Sequence, residues 1–479
     1  CFHGHGVRRT DLPRLPLMMP CPGFCSRIPN VFVQFRSKYN SNPFCPVTSH
    51  RRETSSVDRK RLFRTVLAVA VTLCIGAHCT AAPVEVVFWH PFDSGTPRDA
   101  IEELIEVFNA SRDDIRVVGQ VVPDLIEKVR VAVIGGSPPD VATNLYPWRE
   151  GAIGMLTDLT PFAERDGLSL EEEFFPAGIP EAYYGGVLYG LPWFHVVHPV
   201  LFYRIDAYER AGLDGNSPPA TWEELRALST RLTQRSAEGV VTQLNFDWGK
   251  GAAENAFPMY YRVAGGEYVD PTGTRVIVNN DLARRVLNFL VEVREEIQSD
   301  LAVAVGTFYT GGRVHMLNGN WMAPNIQSGY PHLVPGVDWA MAPFPVPEGS
   351  PQQTVMSSRY MTIPKGAPNA DAAWEFIKWL TGPEASRLYS LRRNLLPAHR
   401  DAVGDPAFAD AFLFWDVQQA MLSHGIPEWG TVPIPDVANF LSVMELAYTK
   451  GLTRTVSPES ALEEAARLMQ AFLDEHLAD

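Results

Sequence analysis

Eleven tryptophans, all C-terminal to residue 82, are the side chains in this 479-residue chain whose type and placement best suit gripping a ligand. A tryptophan face stacks on the C–H patches of a polyhydroxylated ring, and neighbouring polar groups hold its hydroxyls. The candidates are aromatic and polar residues where regular periodicity stops. Trp89 and His90 end a short apolar run, and Asn144 and Tyr146 end another. Trp193 and His195 follow Gly190-Leu-Pro192, and Trp321 follows Asn318-Gly-Asn320. Asp247 and Trp248 lie in the Gly-flanked stretch 245–251, and Trp429 lies in Ile426-Pro-Glu-Trp-Gly430. Arg359 and Tyr360 complete the set; a guanidinium suits a phosphate, a carboxylate or paired hydroxyls. By contrast Trp222, Trp374 and Trp379 sit at helical apolar spacing and are expected to pack.

Covalent chemistry finds little support. Beyond residue 82 there is no Gly-x-Ser-x-Gly, no phosphate-cradling Gly-x-x-x-x-Gly-Lys, no His-Glu-x-x-His and no cysteine. Carboxylate runs such as Glu171–Glu173 and Glu295-Glu296 read as solvated faces rather than an acid pair. His195 and His198 lack a nearby third ligand, so no metal is expected. The reading is therefore of a binder, with no enzyme activity and no cofactor.

The positioning elements alternate. Val84–Trp89, Ile115–Val122 and Asp140–Thr143 read as strands, separated by a helix carrying Ile101, Leu104, Ile105 and Phe108 and by another near Asp124–Ile134. Strand–helix–strand repetition predicts an α/β fold with a parallel sheet whose ligand-facing loops follow the strand C-termini. Thr221-Trp-Glu-Glu224 is a capping box opening a helix expected to reach Arg235. Further helices are expected over Asp281–Gln298, Ala370–Leu380 (capped by Asn369), Asp436–Lys450 and Ser457–Leu477.

The N-terminal stretch differs in composition. Residues 1–82 hold 12 Lys and Arg against 3 acids and all six cysteines. The remaining 397 residues carry 29 basic and 52 acidic side chains, which argues against nucleic acid or an anionic membrane as partner. Arg59-Lys-Arg61 and Arg64, the apolar run Thr65–Ala77 and the small residues Thr80-Ala-Ala82 have the layout of a secretory signal, expected over 58–82. His78 before Cys79 fits a lipidation site badly, so an exported protein without a favoured lipid anchor is expected. Residues 1–57 show no period and read as a disordered or spurious extension.

Several segments, in order, resemble the family 1 extracellular solute-binding proteins, the receptors of sugar and glycerol-phosphate ABC importers. They include Phe88-Trp-His90, Phe108-Asn109 with Ile115-Arg-Val117, and Gly135-Gly-Ser-Pro-Pro-Asp-Val141. Tyr184–Trp193, Leu201-Phe-Tyr-Arg204, Pro219–Leu225, Met316–Trp321 and Ala370–Ile377 continue the series. Where related chains carry Gly-Gly, this one has Ser357-Ser-Arg359. The resemblance implies a two-lobed periplasmic-binding-protein fold with crossing hinge segments and an interlobe cleft. Mapped by motif, one lobe would hold 83–193 and 343–394, the other 194–342 and 395–479. It places Trp193 at a crossing and Trp321 in the cleft. It further implies a periplasmic or other extracytoplasmic monomer that captures a sugar, oligosaccharide or polyol by hinge closure and docks to ABC permease subunits. Glycerol-3-phosphate or a glycerophosphodiester as ligand, a sensory receptor, and least of all a carbohydrate-active enzyme are the alternatives.

Overall fold

Three parallel strands start the fold, as the alternating pattern requires. The computed structural model describes residues 82–247, 256–298, 306–428 and 437–477. In chain order the strands are β1 Val84–His90, β2 Ile115–Val121, β3 Val141–Leu145, the hairpin β4 Tyr183–Tyr184 and β5 Val187–Leu188, β6 Leu191–Val197 and β7 Val200–Arg204. They continue with β8 Gln234–Arg235, β9 Val241–Asp247, β10 Arg313–Asn318, β11 Trp339–Pro343, β12 Thr354–Thr362, β13 Leu396–Pro397 and β14 Gly425–Pro427. One sheet has the order β13-β6-β12-β3-β1-β2, with β14 paired to β12; a second has the order β11-β7-β10-β9-β8. β12 runs antiparallel to both β3 and β6.

Side-chain hydrogen bonds explain several of the short motifs. Asn109, ending the helix Gly95–Ser111, donates Nδ2 to the Val117 carbonyl at 3.0 Å and accepts the Val117 N–H at 2.7 Å. One amide thus fastens helix to strand from both sides. Asp140, almost fully buried, accepts the Val87 N–H at 2.9 Å and the Asn369 N–H at 2.8 Å, fixing β1 and a helix start together. A buried carboxylate is tolerable because these bonds replace water. Ile101, Leu104 and Phe108 are buried and Ile105 half-buried, as their spacing predicts.

Two local expectations are corrected. The capping box forms, with Thr221 Oγ1 accepting the Glu224 N–H and Glu224 accepting the Thr221 N–H. Its helix, however, ends at Ala227, and after a turn at Ser229–Leu232 the chain pairs Gln234 and Arg235 with β9. Strand pairing there satisfies backbone groups that the expected helix would have used. Asn369 precedes the helix Ala370–Thr381 but makes no capping bond; its side chain donates to the Glu85 carbonyl at 3.1 Å instead. Trp222 and Trp374 are buried, and Trp379 packs on Phe108 at 5.2 Å between ring centroids, so the three helical tryptophans serve packing.

Several cores hold the sheets, one of them shared by both through Val197 and Met356 with Phe202 and Trp339. Phe88, Phe108, Trp374 and Phe376 lie in the one built on β1. Trp222, Tyr260 and Val286 pack with Phe440, Met444 and Met469 of the final helices Val437–Leu452 and Pro458–Leu477 in another. The first sheet runs through Val197 and the second begins at Val200, so His198 and Pro199 alone make this first crossing, and the chain returns between β11 and β12.

Candidate functional site

The two-residue link between the sheets is tightly held. Asn320, fully buried, accepts the Val197 N–H through Oδ1 at 3.1 Å and donates Nδ2 to Gln418 Oε1 at 3.0 Å. Its own N–H reaches the Val197 carbonyl at 3.0 Å. Next to it the Trp321 ring lies 5.6 Å from the His198 ring and only 18° from parallel. Gly319 makes this possible: a Cβ there would stand 1.8 Å from Trp321 Cζ3. Burial lowers the His198 pKa, so the stacked imidazole is neutral at neutral pH. The Asn-Gly-Asn-Trp run therefore anchors the crossing through Asn320 and lays an aromatic face across it through Gly319.

Strand ends supply the other groups. Asn144 sits near the C-terminus of β3 at φ 58°, in the left-handed region, and its Oδ1 is buried without a protein partner. Such backbone strain concentrates at functional sites. Tyr146, two residues on, packs with Tyr184 against the core containing Trp222 and Phe440. Antiparallel pairing sets Tyr360 of β12 opposite Leu145, which brings Arg359 beside Tyr146. Arg359 donates Nη1 to Ser357 Oγ at 2.6 Å and to the Ser358 carbonyl at 3.3 Å. Strand β14 adds Glu428, whose N–H reaches the Met356 carbonyl at 3.1 Å. Burial raises the Glu428 pKa, while the Ser357 hydroxyl and Arg359 hold it down. Burial likewise raises the Tyr146 pKa, and this phenol feels both Arg359 and Glu428.

Several expected contacts lie elsewhere. Trp193, His195 and Tyr360 have no exposed surface, which corrects their assignment to a cleft. Trp193 packs on Tyr389 at 4.2 Å; His195 Nδ1 meets Ser358 Oγ at 2.9 Å; the Tyr360 hydroxyl donates to the Gly178 carbonyl at 2.9 Å. The reason is that β6 and β12 are interior strands covered on both faces, where alternation leaves no open side. His90 is also buried, stacked on Phe92 at 5.8 Å, and burial lowers its pKa to about 4. Trp89 donates Nε1 to Gln120 Oε1 at 2.9 Å and packs near Leu125 and Val129. Trp248, Trp429, the Asp247 side chain, residues 1–57 and the 58–81 part of the expected signal lie outside the described residues. Trp321 and His198 thus stand at the crossing, while Asn144, Tyr146, Arg359, Ser357 and Glu428 gather around the β3–β12–β14 pairing, with Tyr184 packed on the same core as Tyr146. Glu428 directly precedes Trp429 in the chain, the one signal in the sequence that could have found it. Nothing in sequence marked Ser357 as the partner of Arg359.

Comparison with known proteins agrees with this architecture. The family model described as "Bacterial extracellular solute-binding protein" matches residues 94–387. The maltotriose-binding protein of Pyrococcus abyssi is 24% identical over 364 residues, covering 73% of this chain and 75% of that protein. The sn-glycerol-3-phosphate-binding periplasmic protein UgpB of Agrobacterium fabrum is 25% identical over 360 residues, covering 70% and 78%. Among solved structures, the cyclic α-maltosyl-1,6-maltose binding protein of Arthrobacter globiformis superposes with a TM-score of 0.69 at 22% identity, covering 82% of this chain and all of that one. The fold is that of the two-lobed solute-binding proteins, and these relatives are binding proteins rather than enzymes. Among the described residues no helix is long and apolar enough to cross a membrane.

Proposed function

The chain belongs to the bacterial extracellular solute-binding proteins, and from that premise we propose that it captures a sugar or oligosaccharide for an ABC importer. The carrying observation is the aromatic face laid on the crossing, Trp321 stacked on His198; the polar and aromatic group Asn144, Tyr146 and Arg359 at the β3–β12 pairing supports the same reading. One lobe is built on the seven-stranded sheet and the other on the five-stranded sheet. The lobes exchange at 198–199, and again between β11 and β12. A solute entering between them gains partners from both, and the differential contact drives closure. Micromolar capture needs about −8 kcal/mol, which a few stacked rings and hydrogen bonds supply. No bond of the solute is broken. The closed monomer then docks to permease subunits, after export directed by the 58–82 segment.

A thermal-shift and calorimetric screen tests this, using maltotriose, smaller sugars and polyols, and glycerol-3-phosphate. Saturable binding without turnover is the expected result. Product formation from any bound sugar refutes the binder reading, and silence across the panel refutes the solute class.

A further inference from the structure

We propose that Glu428 set against Arg359 makes this cleft selective for neutral polyhydroxylated solutes and hostile to phosphorylated ones. The inference rests on the capture function proposed above and decides between the two ligand chemistries its relatives bind. Considered alone, Arg359 is an invitation to phosphate: among the described residues its two protein bonds both run through Nη1, and a guanidinium has further donors on Nε and Nη2 for a ligand oxygen. The tertiary structure removes that invitation. Pairing of β14 with β12 carries Glu428 to the same patch of strand, and the Ser357 hydroxyl interacts with both side chains. Pairing of β12 with β3 on one side and β14 on the other brings Tyr146 and Glu428 to the same stretch of strand as Arg359.

The surrounding cations do not tip the balance. Arg262 donates to the Pro427 carbonyl at 3.1 Å, but its other edge meets Glu267 at 2.5 Å. Arg149 lies 3.9 Å from Glu150, itself in a bidentate pairing with Arg130. Buried Glu181, 3.4 Å from the Tyr360 hydroxyl, adds a further carboxylate near Tyr146. A phosphate reaching Arg359 would therefore meet Glu428 in a half-buried site where water screens poorly. A neutral polyol gains from both, because Arg359 donates to one hydroxyl while Glu428 accepts from its neighbour. Such repulsion of the wrong ligand is how discrimination exceeds what attraction alone gives.

Titration calorimetry on the full chain with maltotriose and with glycerol-3-phosphate decides the matter. Wild type is expected to bind the neutral sugar at least about 100-fold more tightly, and Glu428→Gln to bind glycerol-3-phosphate about 10–100-fold better than wild type does, the effect of deleting one nearby like charge. Preference of wild type for glycerol-3-phosphate overturns the selectivity and leaves the capture function standing. A folded Glu428→Gln with no gain overturns it as well. If that variant does not fold, the wild-type ratio decides alone. Binding of neither compound, nor of any solute in the wider panel, overturns the capture function and this inference with it.

Discussion

Replacing Trp193 by alanine should injure the fold and spare the ligand, although its position after Gly190-Leu-Pro192 makes it look like a cleft residue. The indole has no exposed surface and is surrounded by Tyr389 at 4.2 Å, Phe194 at 4.8 Å and Phe92 at 6.4 Å. A buried tryptophan removes roughly 150–250 Å² from water, worth about 4–6 kcal/mol at 25 cal/mol per Å². Partial collapse of the cavity brings the expected loss to about 3–5 kcal/mol. For a chain of this size that is a fall in Tm of roughly 3–10 °C, extrapolating the usual dependence on length. The Trp193→Phe variant keeps a ring against Tyr389 and should lose less than half as much. Melting curves and calorimetry on both variants supply the test. Folded protein should retain ligand affinity within about threefold, since this ring has no surface open to a ligand. A variant with wild-type melting and lost affinity would refute this placement.

Trp321→Ala should do the opposite, lowering affinity about 10–100-fold by removing the ring stacked on His198 while changing Tm little; equal affinity would mean the cleft surface lies elsewhere. Gly319→Ala forces the Trp321 ring away from a Cβ it would meet at 1.8 Å, so affinity should fall with a stability loss of about 1–3 kcal/mol, read by calorimetry and denaturant unfolding. Stability should also decline as pH falls from about 6.5 towards 4. Burial lowers the pKa of His90, His195 and His315 to about 4, so below 6.5 the unfolded chain takes up protons that the folded chain does not, and acid favours unfolding. Urea midpoints unchanged between pH 7.5 and 5 in wild type would contradict this, and His315→Gln should flatten the dependence.

How legible the protein was depends on which residues one asks about. The strand–helix alternation, the face Ile101-Leu104-Phe108 and the Thr221 capping box were readable because hydrophobic periodicity and capping act within a few residues. Motifs such as Phe108-Asn109 with Val117 were legible as a family resemblance before their physics was visible; Asn109 bonded to both sides of Val117 supplies it. Orientation was not legible where strands are interior. Trp193, His195 and Tyr360 looked like loop-edge ligands, but β6 and β12 lie inside the sheet through pairings up to some 215 residues apart, and none of the three keeps exposed surface. The helix after Thr221 stopped early for a similar reason, since β9 claimed residues 234–235.

Composition and local pattern by themselves determined an α/β chain rich in tryptophan, acidic beyond residue 82, and without cysteine chemistry there. Only the tertiary structure decided which rings reach the crossing and what Arg359 is for. Sequence presents that arginine as a lone cation. Its meaning came from Ser357 two residues before it and from Glu428, 69 positions away, brought alongside by one short strand pairing. The charge a ligand meets is a sum over space, and chain order does not contain that sum.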